Sequence, residues 1–169
     1  MRIAVGADHG GFALKPLLIR ALERRGHRVL DLGTFSPQPC DYPRIGAKVA
    51  EAVSGGRAQR GLLLCRSGGG MAVVANKFPG VRAVAAQTPA LAVHSREHND
   101  ANILVLGAGG LSPARARAIL NGWMGAPFAG GRHARRVRQI TAIERRILRA
   151  RSVAGGRSRM KRRAKTKGV

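Results

Sequence analysis

Acidic side chains are scarce in this 169-residue chain: eight Asp and Glu stand against 31 Lys and Arg, a formal net charge of +23. That imbalance favours anionic partners, meaning phosphorylated metabolites and, without sequence preference, nucleic acid. Aromatic residues make up only 4%, so the core has to be aliphatic. Two cysteines, Cys40 and Cys65, cannot build a disulfide framework, and no spacing joins them to a histidine pair as metal ligands, so no metal is expected. No apolar run is long enough to span a membrane. Met1-Arg2 leads directly into the strand-like Ile3-Ala4-Val5, with no leader pattern, and the expectation is a reduced, cytoplasmic protein.

Apolar residues reach 44%, enough to fill the core of one domain. That domain is expected over residues 1–150. Residues 151–169 carry eight basic residues and no acid, which leaves +15 for the rest. Their Gly, Ser, Arg and Lys show no apolar periodicity, so a disordered tail is expected there. The tail also lacks aromatic residues for base stacking, so any nucleic-acid binding through it would be electrostatic and salt-sensitive.

Short apolar runs alternate with helical patterns along the body, the signature of a parallel α/β sheet. The runs Arg2–Gly6, Arg28–Asp31, Gly61–Leu64, Val81–Ala85 and Ile103–Leu106 predict five strands. Leu14, Leu17, Leu18, Ala21 and Leu22 fall on one helix face, as do Ile45, Val49 and Val53. Pro16 suits a first turn or a kink, and Gly26 a helix stop. Pro113–Trp123 reads as a helix. A longer one runs from about Arg132 to Ala150, with Val137, Ile140, Ile143 and Ile147 on one stripe. Nothing follows that could cover the stripe, so it is expected to pack on a partner subunit.

The densest chemistry lies in Leu62-Leu63-Leu64-Cys65-Arg66-Ser67-Gly68-Gly69-Gly70-Met71. A buried strand delivers a thiol to its carboxyl end, and a hydroxyl and three glycines follow. Ligands of open α/β sheets bind outside those ends. Arg66 and the backbone N–H groups of the glycines favour a thiolate, although a strand-end cysteine can equally be core filler. The run is neither a P-loop nor a dinucleotide fingerprint, and Met71 stands where a Cys-x5-Arg phosphatase loop needs arginine. Asp8-His9-Gly10-Gly11 follows the first strand and brings a carboxylate and an imidazole to the same edge. Asp8 could also simply cap the next helix. His98-Asn99-Asp100-Ala101-Asn102 precedes the last strand and reads as polar site residues or as a turn. Arg132 and Arg136 share one helix face, which suits a phosphate dianion as well as plain solvation.

Taken together, Ile3 to Gly11, Asp41-Tyr42-Pro43, Cys65 to Gly70, Ala75-Asn76-Lys77, Glu97 to Asn102 and Gly130-Gly131-Arg132-His133 with Arg136 resemble the ribose-5-phosphate isomerase B family, which includes the galactose-6-phosphate isomerase subunits. The resemblance spans about residues 1–148. It implies a three-layer α/β/α sandwich of Rossmann-like topology with a five-stranded parallel sheet. It further implies a homodimer or tetramer with active sites between subunits, a sugar phosphate as substrate, and no metal or organic cofactor. Carried over residue by residue, Cys65 would be the base, Ser67 with Gly68, Gly69 and Gly70 would hold the enediolate, and His98 would move a proton during ring opening. Asp8 would bind sugar hydroxyls, Asn99 would contact the substrate, and His9, Arg132 and Arg136 would hold the phosphate.

Two positions depart from the family pattern. Arg66 stands where the family usually has glycine, and Gly109 where it usually has an arginine. Either Arg66 substitutes for the missing cation, or the site serves a different sugar phosphate or a weakly catalytic, binding role.

Overall fold

The computed structural model describes the backbone of residues 1–166 and the side chains through Ser152. The elements in chain order are β1 (Arg2–Ala7), α1 (Lys15–Glu23), β2 (Arg28–Asp31), α2 (Tyr42–Ser54), β3 (Arg60–Cys65) and α3 (Gly69–Ala75). They are followed by β4 (Ala83–Ala85), α4 (Pro89–Asn99), β5 (Ile103–Gly107), α5 (Pro113–Gly125) and α6 (Gly131–Thr166). The five strands form one sheet in the order β2-β1-β3-β5-β4, every pair parallel. This is the α/β architecture expected from the alternation of apolar runs and helical faces.

Both faces of the sheet are buried, as a parallel sheet requires. Ile3, Val5, Leu62, Leu64, Leu104 and Leu106 face a layer that includes Leu18 and Leu22 of α1 and Ile119 and Trp123 of α5. Their strand neighbours Ala4, Leu63, Cys65, Ile103 and Val105 face the opposite layer, with Val49 of α2 and Met71 of α3. The period of two along each strand assigns these residues to their layers.

Local chemistry explains where expectation and structure differ. Pro16 sits in the first turn of α1, where its missing N–H leaves no bond unmade. β4 begins at Ala83 rather than Val81, because the Val81 N–H donates back to the Phe78 carbonyl in a turn and the Arg82 N–H to Asn102 Oδ1. The glycine run is not only loop: Gly68 takes φ +83° and opens the short helix α3. The polar stretch before β5 divides, with His98 and Asn99 ending α4 and Asp100 capping it in the left-handed region at φ 48°.

α6 starts at Gly131, and its helical backbone continues past Ala150 to Thr166. The reading of residues 151–169 as a separate tail rests chiefly on residues beyond Ser152, whose side chains lie outside those described, as does the backbone beyond Thr166. Ile140, Ile143 and Ile147 are about half exposed on the single chain, so the expected stripe is uncovered. The helix also leans on its own body, where Glu144 accepts from the Gly80 N–H at 2.9 and 3.0 Å. No helix among the described residues is long and apolar enough to cross a membrane.

One buried ion pair fixes the β1–α1 corner. Lys15 is 3% exposed and donates to both Asp31 carboxylate oxygens at 2.7 Å and to the Thr34 carbonyl at 2.7 Å. Truncating one partner of a buried pair strands the other charge. Asp31 retains about a third of its side-chain exposure, so the cost should fall at the low end of the usual range. Lys15→Ala is expected to destabilise the fold by about 3 kcal/mol, measured by denaturant unfolding.

Candidate active site

The connection from β1 leaves through α1 on one face of the sheet, and the connection from β3 leaves through α3 on the other. β1 and β3 are neighbours. The loops leaving them diverge and open a crevice at their carboxyl ends, the switch point where open α/β sheets bind ligands. Cys65 ends β3 at that crevice, and Asp8 and His9 follow β1 there.

Cys65 is 4% exposed, and its Sγ accepts from the Gly68 N–H at 3.1 Å. That bond is available because Gly68 adopts a conformation that side chains other than glycine rarely take. The N–H groups of Gly69 and Gly70 lie in the first turn of α3 and have no partner within that helix. Ser67 is exposed beside them. Asp8 is buried, and its Oδ1 accepts from the Gly10 and Gly11 N–H groups at 2.8 and 3.1 Å. It therefore orders its own loop rather than capping α1, which has no side-chain cap bond, and it keeps Oδ2 for another donor. His9 Nδ1 accepts from the Cys40 N–H at 3.2 Å, which leaves the proton of a neutral ring on Nε2, facing away from that bond.

Two glycines shape the space around Arg66. A Cβ on Gly10 would stand 3.0 Å from the Arg66 backbone nitrogen and 3.2 Å from its Cβ. A Cβ on Gly109 would stand 2.9 Å from the Arg66 carbonyl oxygen and 3.4 Å from its Cγ. The Arg66 side chain thus lies over Gly109, in space that a side chain at 109 would contest. Arg66 itself is exposed, and its guanidinium has no hydrogen bond or ion pair among the described residues.

The remaining candidates lie at the other end of the sheet. α4 runs antiparallel to the strands, so its last turn arrives where β3, β4 and β5 begin. There the Asn102 carbonyl accepts from the Gly61 N–H at 2.8 Å, and Arg82 Nε donates to the Asn99 and Asp100 carbonyls, both at 3.0 Å. The start of α6 joins them, with the Ala129 N–H on the Glu97 carbonyl at 3.0 Å. His98, Asn99, Arg132 and Arg136 therefore gather at the amino edge, and Cys65, Ser67, Asp8, His9 and Arg66 at the carboxyl edge. β3 alone separates the two edges by roughly 17 Å. Within one chain the candidate residues form two half-sites.

At the amino half-site the rings of His98 and His133 stack, with centroids 4.0 Å apart and planes inclined by 15°. His133 is buried, and Arg132 Nε donates to its Nε2 at 3.4 Å. Burial, and then the charges of His98, Arg132, Arg136 and His94, hold His133 below the ordinary histidine range. The unfolded chain takes up this proton more readily than the folded one, so this residue withdraws stability as pH falls through about 6.5.

The structure adds residues to which the motifs gave no role. The Tyr42 ring overlies Gly70, where a Cβ would meet it at 2.7 Å, so it walls the thiol crevice. The motif Asp41-Tyr42-Pro43 was its signal in the sequence. His94 packs on His98, and helical i, i+4 spacing was its only trace. Two surface clefts lie along α6. One, of about 630 Å³, is lined by Arg138, Arg145, Arg146 and Arg149 among others, and one, of about 430 Å³, includes Asn76, Arg82, Asn99 and Glu144. Cys65 lines neither. Among the described residues, no group of three or more His, Cys, Asp or Glu side chains is placed to hold a metal ion.

A thiol with a hydrogen-bonded sulfur, beside a glycine cradle and an acceptor carboxylate at a sheet switch point, is an arrangement that can move protons on a small anionic ligand. The class of protein comes from comparison with known proteins. Residues 3–140 match the family model described as Ribose/Galactose Isomerase. Ribose-5-phosphate isomerase B of Escherichia coli is 46% identical over 145 residues, which cover 86% of this chain and 97% of that one. D-erythrulose-4-phosphate isomerase of Pectobacterium atrosepticum is 36% identical over 148 residues, covering 85% of this chain and 95% of that one. The solved ribose-5-phosphate isomerase B of Clostridium thermocellum superposes with a TM-score of 0.84 at 46% identity, covering 87% of this chain and 99% of that one. The chain belongs to the ribose/galactose isomerase family and is a sugar-phosphate isomerase by class.

Proposed function

We propose that the chain interconverts ribose 5-phosphate and ribulose 5-phosphate, with Cys65 as the base. The observation that carries this reading is the Cys65 sulfur, presented at the β1–β3 crevice and held by the Gly68 N–H at 3.1 Å. The thiolate takes the C2 proton of the open-chain aldose, and the C1 carbonyl becomes an enediolate oxygen. Return of the proton to C1, with transfer of the O2 proton to O1, gives the ketose. Ser67 and the N–H groups of Gly69 and Gly70 face the charge that develops on the enediolate. Asp8 Oδ2 accepts from sugar hydroxyls, and the Nε2–H of His9 donates to phosphate.

His98, Asn99, Arg132 and Arg136 complete the site from a second copy of the chain. Their distance from Cys65 within one chain and the uncovered Ile140, Ile143 and Ile147 stripe both support a homodimer or larger assembly. His98 moves a proton during ring opening, and the two arginines hold the phosphate.

The test is NMR of ribose 5-phosphate in deuterium oxide. Ribulose 5-phosphate carrying deuterium at C1 is expected. Neither exchange nor ketose would remove this substrate from the reading.

A second reading keeps the chemistry and changes the sugar. The Pectobacterium relative is named for a four-carbon sugar phosphate, and Arg66 over Gly109 alters the mouth of the thiol crevice. A larger kcat/KM on a four-carbon aldose or ketose phosphate than on ribose 5-phosphate would favour it. In either reading Arg66 supplies a cation to the substrate. An exposed charge-assisted contact falls at the low end of such interactions, so Arg66→Gly is expected to raise KM about tenfold and to leave kcat within about threefold. Steady-state kinetics with unchanged KM would take Arg66 out of the site.

A further inference from the structure

α6 presents two unlike faces. Val137, Ile140, Ile143 and Ile147 form the apolar stripe, and Arg138, Arg145, Arg146 and Arg149 line the cleft of about 630 Å³. At 3.6 residues per turn, Arg138, Arg145 and Arg149 fall within about 40° of one another, and the centre of the stripe lies roughly opposite them. All four arginines are exposed, and no guanidinium among them has a hydrogen bond or ion pair among the described residues. Like charges three and four residues apart, as in Arg146 and Arg145 with Arg149, weaken a helix. The face repels itself until an anion lies on it.

The chain has little to offer as that anion. Of its eight acidic residues, Asp8 is held by the Gly10 and Gly11 N–H groups, Asp31 by Lys15, Asp100 by Arg82 and Arg96, and Glu144 by the Gly80 N–H. Glu23, Asp41, Glu51 and Glu97 remain. A second copy would thus bring those few carboxylates together with 31 more Lys and Arg. Burial of the apolar stripe against that copy would also leave the arginines on the outside, because the two faces are opposed.

We propose that the arginine face of α6 is a docking surface for duplex DNA, held through its phosphates without regard to sequence. Guanidinium groups match phosphate oxygens in pairs, and every cation of this face is an arginine. No aromatic side chain lines the cleft, so it has nothing on which the bases of a single strand could stack. From Arg145 to Ser152 every residue is exposed, so this part of the helix stands clear of its own body. A helix about 10–12 Å wide suits the major groove of B-DNA, about 12 Å across, whereas that of duplex RNA is deep and narrow. An anionic bilayer would need the apolar face instead. That face carries Glu144, and both Ile140 and Glu144 are turned toward Val81 and Asn99 of the body.

The test is fluorescence anisotropy of a short labelled duplex of mixed sequence, titrated with the full-length protein between about 50 and 200 mM salt. The variant combines Arg138→Gln, Arg145→Gln, Arg146→Gln and Arg149→Gln. Glutamine keeps helix propensity, and none of the four residues belongs to the proposed isomerase site, so the circular dichroism and the turnover of ribose 5-phosphate should not change. A control variant removes the same charge elsewhere, at the exposed Arg20, Arg24, Arg115 and Arg117, again as Gln.

The wild-type protein is expected to bind the duplex, with an affinity that falls steeply as salt rises. The α6 variant should bind at least about tenfold more weakly, and its plot of log affinity against log salt should be flatter by about three. The control should stay within about threefold of wild type, since screening confines each charge to its own surroundings. Absence of duplex binding overturns the proposal. So does an undiminished affinity in the α6 variant, which would assign binding to residues 151–169, or an equal loss in the control, which would assign it to net charge. Single-stranded DNA or duplex RNA bound as tightly as duplex DNA would also overturn it. The same holds if the α6 variant loses binding to phosphatidylserine vesicles and keeps its affinity for DNA.

Discussion

Cys65→Ala is expected to lower kcat for ribose 5-phosphate isomerisation by roughly 10²–10⁴-fold, the usual contribution of a positioned general base. The loss should fall on kcat rather than KM, because the groups proposed to hold phosphate and hydroxyls remain in place. The sulfur is buried against the layer of α2 and α3, so removing it leaves a small apolar gap and a Gly68 N–H without its acceptor. The fold should lose about 1–2 kcal/mol by those two effects and stay intact. Thermal unfolding checks this beside the kinetics. Deuterium uptake at C1 should vanish together with turnover. Undiminished exchange in Cys65→Ala would assign the base to another residue, and Asp8 would be the first to test.

Mixing two inactive variants should restore activity. Cys65→Ala removes the proposed base from the carboxyl half-site, and His98→Ala removes the proposed proton carrier from the amino half-site. If each complete site takes Cys65 from one subunit and His98 from another, a mixed dimer carries one doubly defective site and one intact site. Random assortment makes half the dimers mixed, so refolding or co-expressing equal amounts should recover about a quarter of wild-type activity. Each variant alone should stay near its own floor. The expectation comes from topology: α4 delivers His98 to the edge where the strands begin, and β3 delivers Cys65 to the edge where they end. Mixtures no more active than the sum of their parts would mean that the site is completed within one chain, against the separation of its two halves.

The elements were legible because their signals are local. The apolar runs at Leu62–Leu64 and Ile103–Leu106 could only be buried strands of a parallel sheet, and the three- and four-residue spacing of Leu14 to Leu22 could only face a core. Misjudged boundaries arose where a side chain or a turn replaced a backbone bond, as when Asn102 takes the Arg82 N–H and shortens β4. α3 was hidden because its opening Gly69-Gly70 has low helix propensity, and Gly68, in the left-handed region, sets its start instead. The meeting of Cys65, Asp8 and His9 at one edge was readable from their place at or directly after strand ends, since parallel strands deliver their ends to one edge.

What the sequence determined by itself is the inventory: five parallel strands, an aliphatic core, a thiol followed by a glycine run, and a basic body suited to phosphate. Each depends on residues adjacent in the chain or on one face of one element. Only the tertiary structure decided which of these meet. It set Arg66 over Gly109, closed Tyr42 on Gly70, stacked His94, His98 and His133, and sent His98 and Asn99 to the edge of the sheet opposite Cys65. The physical reason is that a helix between parallel strands returns the chain across the whole sheet, so the edge a residue reaches depends on where its element ends.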